Sequence, residues 1–445
     1  MNHLAKGLAA ALLAGRWEPE LLVRRAGRAL GRRPPWLRPL VERLLATWPT
    51  ARPGIVQLTR WIRDDPGFRQ ALETSVEEDE ALAIVWAPPP AMRPLAGAPA
   101  SWTLPAITTA AALAGWLGVA HGELDWFADI QGRERRRPAG PLRHYRYAWV
   151  PKRHGELRLV EAPKPRLKSL QRRVLRGILD RIPAHNAAHG FCAGRSIKSF
   201  ALPHTGRNVV LRMDLENFFP SIRVPRVVAI FLSAGYPEDV ARLLSGLCTN
   251  TAPADLWDDA PDALQARRGW ASQSLYSQPH LPQGAPTSPA LANLCAFRLD
   301  CRLAALANSA GAVYTRYADD LAFSGSADFA RAARRFHIRA AIAIEEGFRF
   351  HARKTRIMRA GVRRHLAGVV VNRHTNVARR DYDRLKAIVC NCVRHGPVGQ
   401  NRGSHENFRA HLAGRIAHVA MLHPERGRKL RAIFERIAWY RPRNL

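Results

Sequence analysis

The sequence predicts an α+β fold in three parts: a helical N-terminal extension, a body in which helices and strands alternate, and a basic helical tail. Three observations carry this. Leucines recur at helical spacing through the first 86 residues, β-prone and helix-like runs alternate from Trp102 to about Asn372, and from Asp381 onward the pattern is helical and basic. A chain of 445 residues with 47% hydrophobic and 24% charged content has room for two or three domains and a sizeable core.

In the extension, Leu21, Leu22, Leu30, Leu37, Leu40, Leu44 and Leu45 mark the apolar faces of short helices, and Pro34, Pro35, Pro49 and Pro53 punctuate them. The apolar run from Leu8 to Ala14 is short and Arg16, Glu18 and Glu20 follow it, so it reads as a helix rather than a secretion signal. Ala87 to Ala100 contains Pro88, Pro89, Pro90, Pro94 and Pro99 without a period, the composition of a semi-rigid linker. The expected domains are therefore 1–95 for extension and linker, 96–375 for the mixed body and 376–445 for the tail. No run approaches the roughly 20 apolar residues of a membrane span, so no membrane partner is expected.

Charge narrows the function. Lys and Arg number 69 against 36 Asp and Glu, a net charge of +33 that repels itself without a polyanionic partner, and nucleic acid is the obvious one. Only 8 of the cations are Lys. An Arg-rich composition explains that preference, but it does not explain the shortage of acids. The six cysteines, Cys192, Cys248, Cys295, Cys301, Cys390 and Cys392, show no paired C-x-x-C spacing, which points away from a zinc site or disulfide framework and fits a reducing cytoplasm.

The sharpest local feature is Tyr317-Ala318-Asp319-Asp320, between the β-prone runs Ala312–Arg316 and Leu321–Ser324. Neighbouring side chains on a straight strand face opposite ways, so two adjacent acids share one site only where a turn re-aims them. Alone, such a pair is commonly a solvated turn. A third acid changes the reading, because Asn208–Leu215 is a strand ending in Asp214. Buried carboxylates repel unless a proton or a hard divalent cation relieves them, which selects magnesium or manganese. Asp214, Asp319 and Asp320 are the set that nucleotidyl transfer by two ions requires, and the Leu215 carbonyl is a candidate fourth ligand.

The segments Met213–Ile222 (MDLENFFPSI), Leu281–Pro289 (LPQGAPTSP) and Tyr317–Asp320 (YADD) resemble, in order and spacing, consecutive motifs of reverse transcriptases, in particular the bacterial retron type. His189-Gly190-Phe191 and Gly194-Arg195-Ser196-Ile197 extend the likeness, which runs from about Trp102 to the end and leaves the first 95 residues uncovered. It implies a right-hand polymerase, with fingers, a palm whose antiparallel sheet carries the acids, and a helical thumb. The activity it implies is RNA-directed DNA synthesis with magnesium ions on Asp214, Asp319 and Asp320. The implied partners are a structured non-coding RNA as template and primer, an RNA–DNA hybrid product and a separate effector protein, with branched RNA-linked DNA made in antiphage defence.

The same resemblance implies further roles. Phe219, five positions beyond Asp214, is the steric gate against a ribose 2′-hydroxyl, with packing beside Phe218 as the alternative. Gln283 and Gly284 lie against the incoming nucleotide, Gln283 bonding near the sugar and Gly284 letting backbone approach. Gly155–Lys168 resembles the basic fingers hairpin, with Arg158 as the triphosphate contact and Lys164 or Lys168 helping; a template-backbone contact is the alternative. Lys354 stands near the departing phosphate, where an ammonium can donate a proton, with a solvated helix-end charge as the alternative. Arg379, Arg380, Arg415 and Lys429 belong to the thumb that tracks the duplex by its backbones.

Two elements depart from the retron pattern. An Asn-Ala-x-x-His element reads Phe200-Ala201-Leu202-Pro203-His204 here, and a Val-Thr-Gly element reads Leu366-Ala367-Gly368. Both bear on RNA recognition rather than catalysis. The competing readings are a reverse transcriptase of another bacterial lineage, group II intron-derived or template-independent, and a non-catalytic RNA-binding scaffold.

Overall fold

The computed structural model describes residues 2–14, 17–49, 53–77, 82–85, 91–94, 102–151, 157–258, 273–345 and 347–439. Of the proline-rich linker Ala87–Ala100, only 91–94 fall among these. The chain divides into two compact units, Met1–Arg93 with Tyr236–Val240, and Pro94–Gly235 with Ala241–Leu445.

In the first unit helices span Asn2–Leu13, Pro19–Leu30, Leu37–Thr47, Ile55–Asp64 and Pro66–Glu77. Pro19 stands in the first turn of its helix, where its missing N–H costs nothing, and Gly31 closes that helix at φ 71° with its N–H on the Arg28 carbonyl. Leu8, Leu12, Leu22, Leu40, Leu44, Leu58, Ile62 and Phe68 form one apolar core. Its buried acid, Asp65, caps the last helix by accepting from the Phe68 N–H at 2.9 Å and takes both arms of Arg43 at 2.8 Å.

The second unit holds the strands. β1 (Tyr145–Pro151) and β2 (Leu157–Pro163) pair antiparallel from Tyr145↔Pro163 to Pro151↔Leu157, and residues 152–156 between them lie outside the described residues. The basic hairpin read over Gly155–Lys168 is thus corrected in its limits. Its first strand precedes that segment, and Pro165 ends β-structure by opening the helix Pro165–Gly177, so Lys168 is helical.

A four-stranded antiparallel sheet in the order β4-β5-β3-β6 is made by β3 (Val209–Asp214), β4 (Ala312–Tyr317), β5 (Asp320–Gly325) and β6 (Arg356–Arg359). The two central strands are covered on both faces, which is why β3 and β5 read as nearly continuous apolar runs. Helices Phe297–Ser309 and Ala327–Glu345 pack against the sheet. Two helices follow the Leu281–Pro289 segment, Ser288–Cys295 and Phe297–Ser309. A small hairpin, β7 (His365–Leu366) and β8 (Val369–Val370), turns through Ala367 at φ 45° and Gly368 at φ 86°, the backbone of a two-residue primed turn. The tail forms helices Arg379–His395, Phe408–Leu422 and Pro424–Phe434 around Leu385, Val389, Leu412, Ile416 and Leu430. Among the described residues no helix is long and apolar enough to cross a membrane.

Candidate active site

The three acids meet at one corner of the sheet. Asp214 ends β3 directly across from Asp320, the first residue of β5, and Tyr317 pairs with Asp320 on the other side, leaving Ala318 and Asp319 as the two-residue β4–β5 turn. Ala318 takes φ 54°, the positive value that such a turn demands at its first position. The turn is tied to β3 by the Leu215 N–H on the Asp319 carbonyl at 2.9 Å, and His351 N–H donates to the Asp214 carbonyl at 2.7 Å.

Burial, with Asp214 and Asp320 close by, pushes the Asp319 carboxyl up to about 6. Asp320 is also raised, by burial first, against the pull of Arg212. Two cations face the cluster. Lys354 Nζ donates to Asp214 Oδ1 at 2.9 Å, and Arg212 lies on Asp320 Oδ1 at 2.7 Å. With these pairings in place, no three His, Cys, Asp or Glu side chains among the described residues converge as a ready metal cage. The donor chemistry nevertheless fits a hard divalent ion: three carboxylates on one corner, all oxygen, with the Asp319 carboxyl raised by burial and by its two acidic neighbours.

The corner is braced from within by groups the sequence reading did not single out. Arg316, fully buried on β4, grips Asp300 through Nε at 2.8 Å and Nη2 at 2.7 Å, donates to Asn293 Oδ1 at 3.0 Å, and reaches the Ala318 carbonyl at 3.1 Å. With its fork fixed on Asp300, the guanidinium thus ties down the β4–β5 turn at the positive-φ Ala318. Below it, His204 bridges the hairpin strands, Nδ1 at 2.7 Å from Ser324 Oγ and Nε2 at 2.7 Å from Thr315 Oγ1. Thr315 spends its own hydrogen on the Phe200 carbonyl, so Nε2 carries the imidazole hydrogen and Nδ1 accepts from Ser324. Burial drives His204 down to about 3, which keeps it neutral.

Around the acids, Phe219 is half-buried, 5.5 Å ring to ring from Phe218 and 6.1 Å from Phe191. Gln283 Oε1 is buried with no hydrogen-bond partner among the described residues. Gly284, at φ 137°, sits so close to β2 that a Cβ there would come within 2.8 Å of the Glu161 carbonyl oxygen, and the Glu161 N–H donates to the Gln283 carbonyl at 2.8 Å. The glycine is needed by a protein backbone. That junction rests on a buried cluster in which Glu161 takes His280 Nε2 at 2.9 Å and Asn250 Nδ2 at 2.8 Å. On β2 the Arg158 side chain is exposed opposite Val150. Lys164 is not free, since its ammonium donates to the Gly140 and Pro141 carbonyls at 2.6 and 3.1 Å.

Arg379, Arg380 and Lys429 are exposed on the tail helices and Arg415 is half-buried. The two departures from the retron pattern meet: Phe200 and Ala201 share one cluster with Leu366, Val369, Val371 and Leu422, and Phe200 lies 5.7 Å ring to ring from Tyr317. Both elements therefore pack behind the β4–β5 hairpin.

The sequence profile of the reverse transcriptase (RNA-dependent DNA polymerase) family matches residues 150–382. The chain is similar to the retron Mx65 reverse transcriptase of Myxococcus xanthus, 41% identical over 336 residues that cover 74% of this chain and 72% of the relative. It is 39% identical over 338 residues to the retron Mx162 reverse transcriptase of the same organism, covering 72% and 65%, and 33% identical over 248 residues to the retron Ec86 reverse transcriptase of Escherichia coli, covering 55% and 69%. With its acids on adjacent strands and a connecting turn, and with this likeness across most of its length, the chain belongs to the reverse transcriptases, of the retron type, and is an RNA-directed DNA polymerase.

Proposed function

We propose that this polymerase extends a hydroxyl primer on a structured non-coding RNA by two-metal catalysis, leaving branched RNA-linked DNA that serves in antiphage defence. The observation that carries the catalytic part is the cross-strand pair Asp214↔Asp320 with Asp319 in the turn, its carboxyl held up by burial and by those two neighbours. Asp214, Asp319, Asp320 and the Leu215 carbonyl would hold two magnesium ions, or manganese. Bound there, the ions would activate the primer hydroxyl and stabilise the departing pyrophosphate.

The chain's own residues do the positioning. Lys354, anchored on Asp214, presents an ammonium beside the site of phosphate departure, and Arg212 steadies Asp320. Gln283, with its buried oxygen unpartnered, accepts from a hydroxyl of the nucleotide sugar, and Gly284 seats that loop on β2. Arg158 takes the triphosphate, while Lys164 stiffens the base of the hairpin. Phe219 closes on the 2′ position and selects deoxynucleotides. In this reading residues 96–375 are fingers and palm, 376–445 the thumb, whose Arg379, Arg380, Arg415 and Lys429 follow the RNA–DNA duplex, and 1–95 an extension with a separate role. The relatives' names, all retron reverse transcriptases, support a retron RNA as partner.

The test is the nucleic acid recovered with the purified protein from cells. Wild type should yield DNA joined to RNA through a 2′ linkage that debranching enzyme releases, and the Asp319→Ala,Asp320→Ala variant should yield RNA alone. Unlinked DNA from wild type would overturn the branched product. Phage protection that survives the double substitution would favour the scaffold reading.

A further inference from the structure

The segment His189-Gly190-Phe191 is docked on the catalytic turn with unusual care. His189 N–H donates to the Arg316 carbonyl at 2.7 Å, and Asn293 Nδ2 donates to the Gly190 carbonyl at 2.8 Å. Gly190 lies so close that a Cβ there would stand 2.7 Å from the Ala318 nitrogen and 3.3 Å from the Tyr317 carbonyl carbon. Backbone so held leaves Phe191 no freedom of position. Yet Phe191 adopts φ 60°, a conformation that aromatic side chains rarely take, and leaves its ring 51% exposed.

Both features cost stability, and the core does not gain from them, because a half-exposed ring buries little. What the arrangement achieves is placement. The ring stands 6.1 Å from Phe219 and 6.3 Å from Tyr317, completing an aromatic wall that runs through Phe219 to Phe218 and Phe348. Tilted ring pairs at such distances restrict one another.

We propose that Phe191 is a positioning residue for sugar selection: its ring backs Phe219 and prevents that side chain from swinging away from a nucleotide 2′-hydroxyl. The proposal rests on the reading of Phe219 as the gate. Strain at Phe191 is then retained because it sets the ring beside Phe219 while Gly190 stays docked on the turn.

The experiment measures single-nucleotide incorporation from deoxy- and ribonucleotides by the full chain on a primed RNA template, as the ratio of the two kcat/KM values. The variants are Phe191→Ala, Phe191→Tyr, Phe219→Ala and the double Phe191→Ala,Phe219→Ala, with Phe191→Gly added for stability. Phe191→Ala should lower discrimination against ribonucleotides about two- to twelve-fold, the span that an aromatic pair contributes. Phe191→Tyr should restore it, and the double variant should match Phe219→Ala, since the two rings act as one. Phe191→Gly should melt at or above the wild-type temperature, because glycine takes the left-handed backbone without strain; a ring serving packing would instead lower it. Unchanged discrimination in Phe191→Ala, with Phe219→Ala impaired, would overturn the backing role and leave the gate standing. Additive losses in the double variant would also overturn it. Unchanged discrimination in Phe219→Ala would remove the gate itself.

Discussion

The first 93 residues and the acid-bearing corner of the sheet are held together by different physics. Residues 1–93 carry 14 Lys and Arg against 10 Asp and Glu, whereas the remaining 352 carry 55 against 26. The N-terminal core is leucine packed on leucine, and among the described residues its one buried acid, Asp65, is satisfied by a cap and an arginine fork. At and around the sheet corner charged and polar groups lie inside the protein: Arg316 on Asp300 and His204 between two hydroxyls at the corner itself, and Glu161 on His280 beneath the Gln283–Gly284 loop. Apolar burial is non-directional and gives stability at low cost in geometry. Buried polar groups must be paired at defined angles, so they fix a turn or a loop where a position has to be exact. The difference marks one region as built for cohesion and the other as built for placement.

The largest effect expected from breaking this contrast is at Arg316. Arg316→Met leaves Asp300 buried with the Tyr314 hydroxyl but without its cation, and frees the Ala318 carbonyl, so a loss of about 3–5 kcal/mol in denaturant unfolding is expected, with primer extension abolished. Arg316→Lys, which keeps the charge but not the fork, should recover part of the stability and little of the activity. In the N-terminal unit, Leu22→Ala should cost about 2–5 kcal/mol by leaving a cavity, read as faster hydrogen exchange confined to residues 2–77. Extension by the sheet corner at a temperature where both units are folded should be unaffected.

A pH effect separates the regions further. His204 is held at about 3 when folded and returns to an ordinary imidazole when unfolded, so the unfolded state binds the extra proton between those values. Stability is therefore full above about pH 6.5 and falls as the pH drops toward 3, by up to about 1.4 kcal/mol per pH unit from this one residue. His204→Gln should flatten that acid slope while lowering stability at neutral pH, as measured by unfolding at pH 7 and pH 5. The smallest effect concerns the tail, where Asn407 accepts from the Ala410 N–H to cap helix Phe408–Leu422. Asn407→Ala should cost about 1 kcal/mol, seen as fraying of that helix by hydrogen exchange.

What was legible in the sequence follows the same division. Asp319 and Asp320 are adjacent, and Asp214 ends an apolar strand, so local pattern exposed all three. The leucine spacing of the extension was equally local. Arg316 sat in plain view before Tyr317, but its partner Asp300 is 16 residues away on a helix, and nothing in the spacing marks that pair. His204 meets residues 111 and 120 positions distant, and Glu161 meets His280 at 119, separations that a single sequence does not reveal. The basic hairpin reads too far along in the sequence because its first strand, Tyr145–Pro151, carries the single cation Arg146, whereas Arg158, Lys164, Arg166 and Lys168 crowd the segment that follows, and because Pro165 starts a helix rather than ending a loop. The bond between Lys354 and Asp214, 140 residues apart, gives a physical anchor to a lysine that had only a resemblance to recommend it.

In the proposed mechanism the acids at the sheet corner hold the ions that drive RNA-templated DNA synthesis. Its most direct test is extension of a DNA primer on an RNA template across a magnesium titration, comparing wild type with Asp319→Asn, which keeps the side-chain volume and removes the charge. The account predicts saturable, magnesium-dependent extension by wild type and background synthesis by the variant at every magnesium concentration. Extension by Asp319→Asn at the wild-type rate, with the same magnesium dependence, would contradict it.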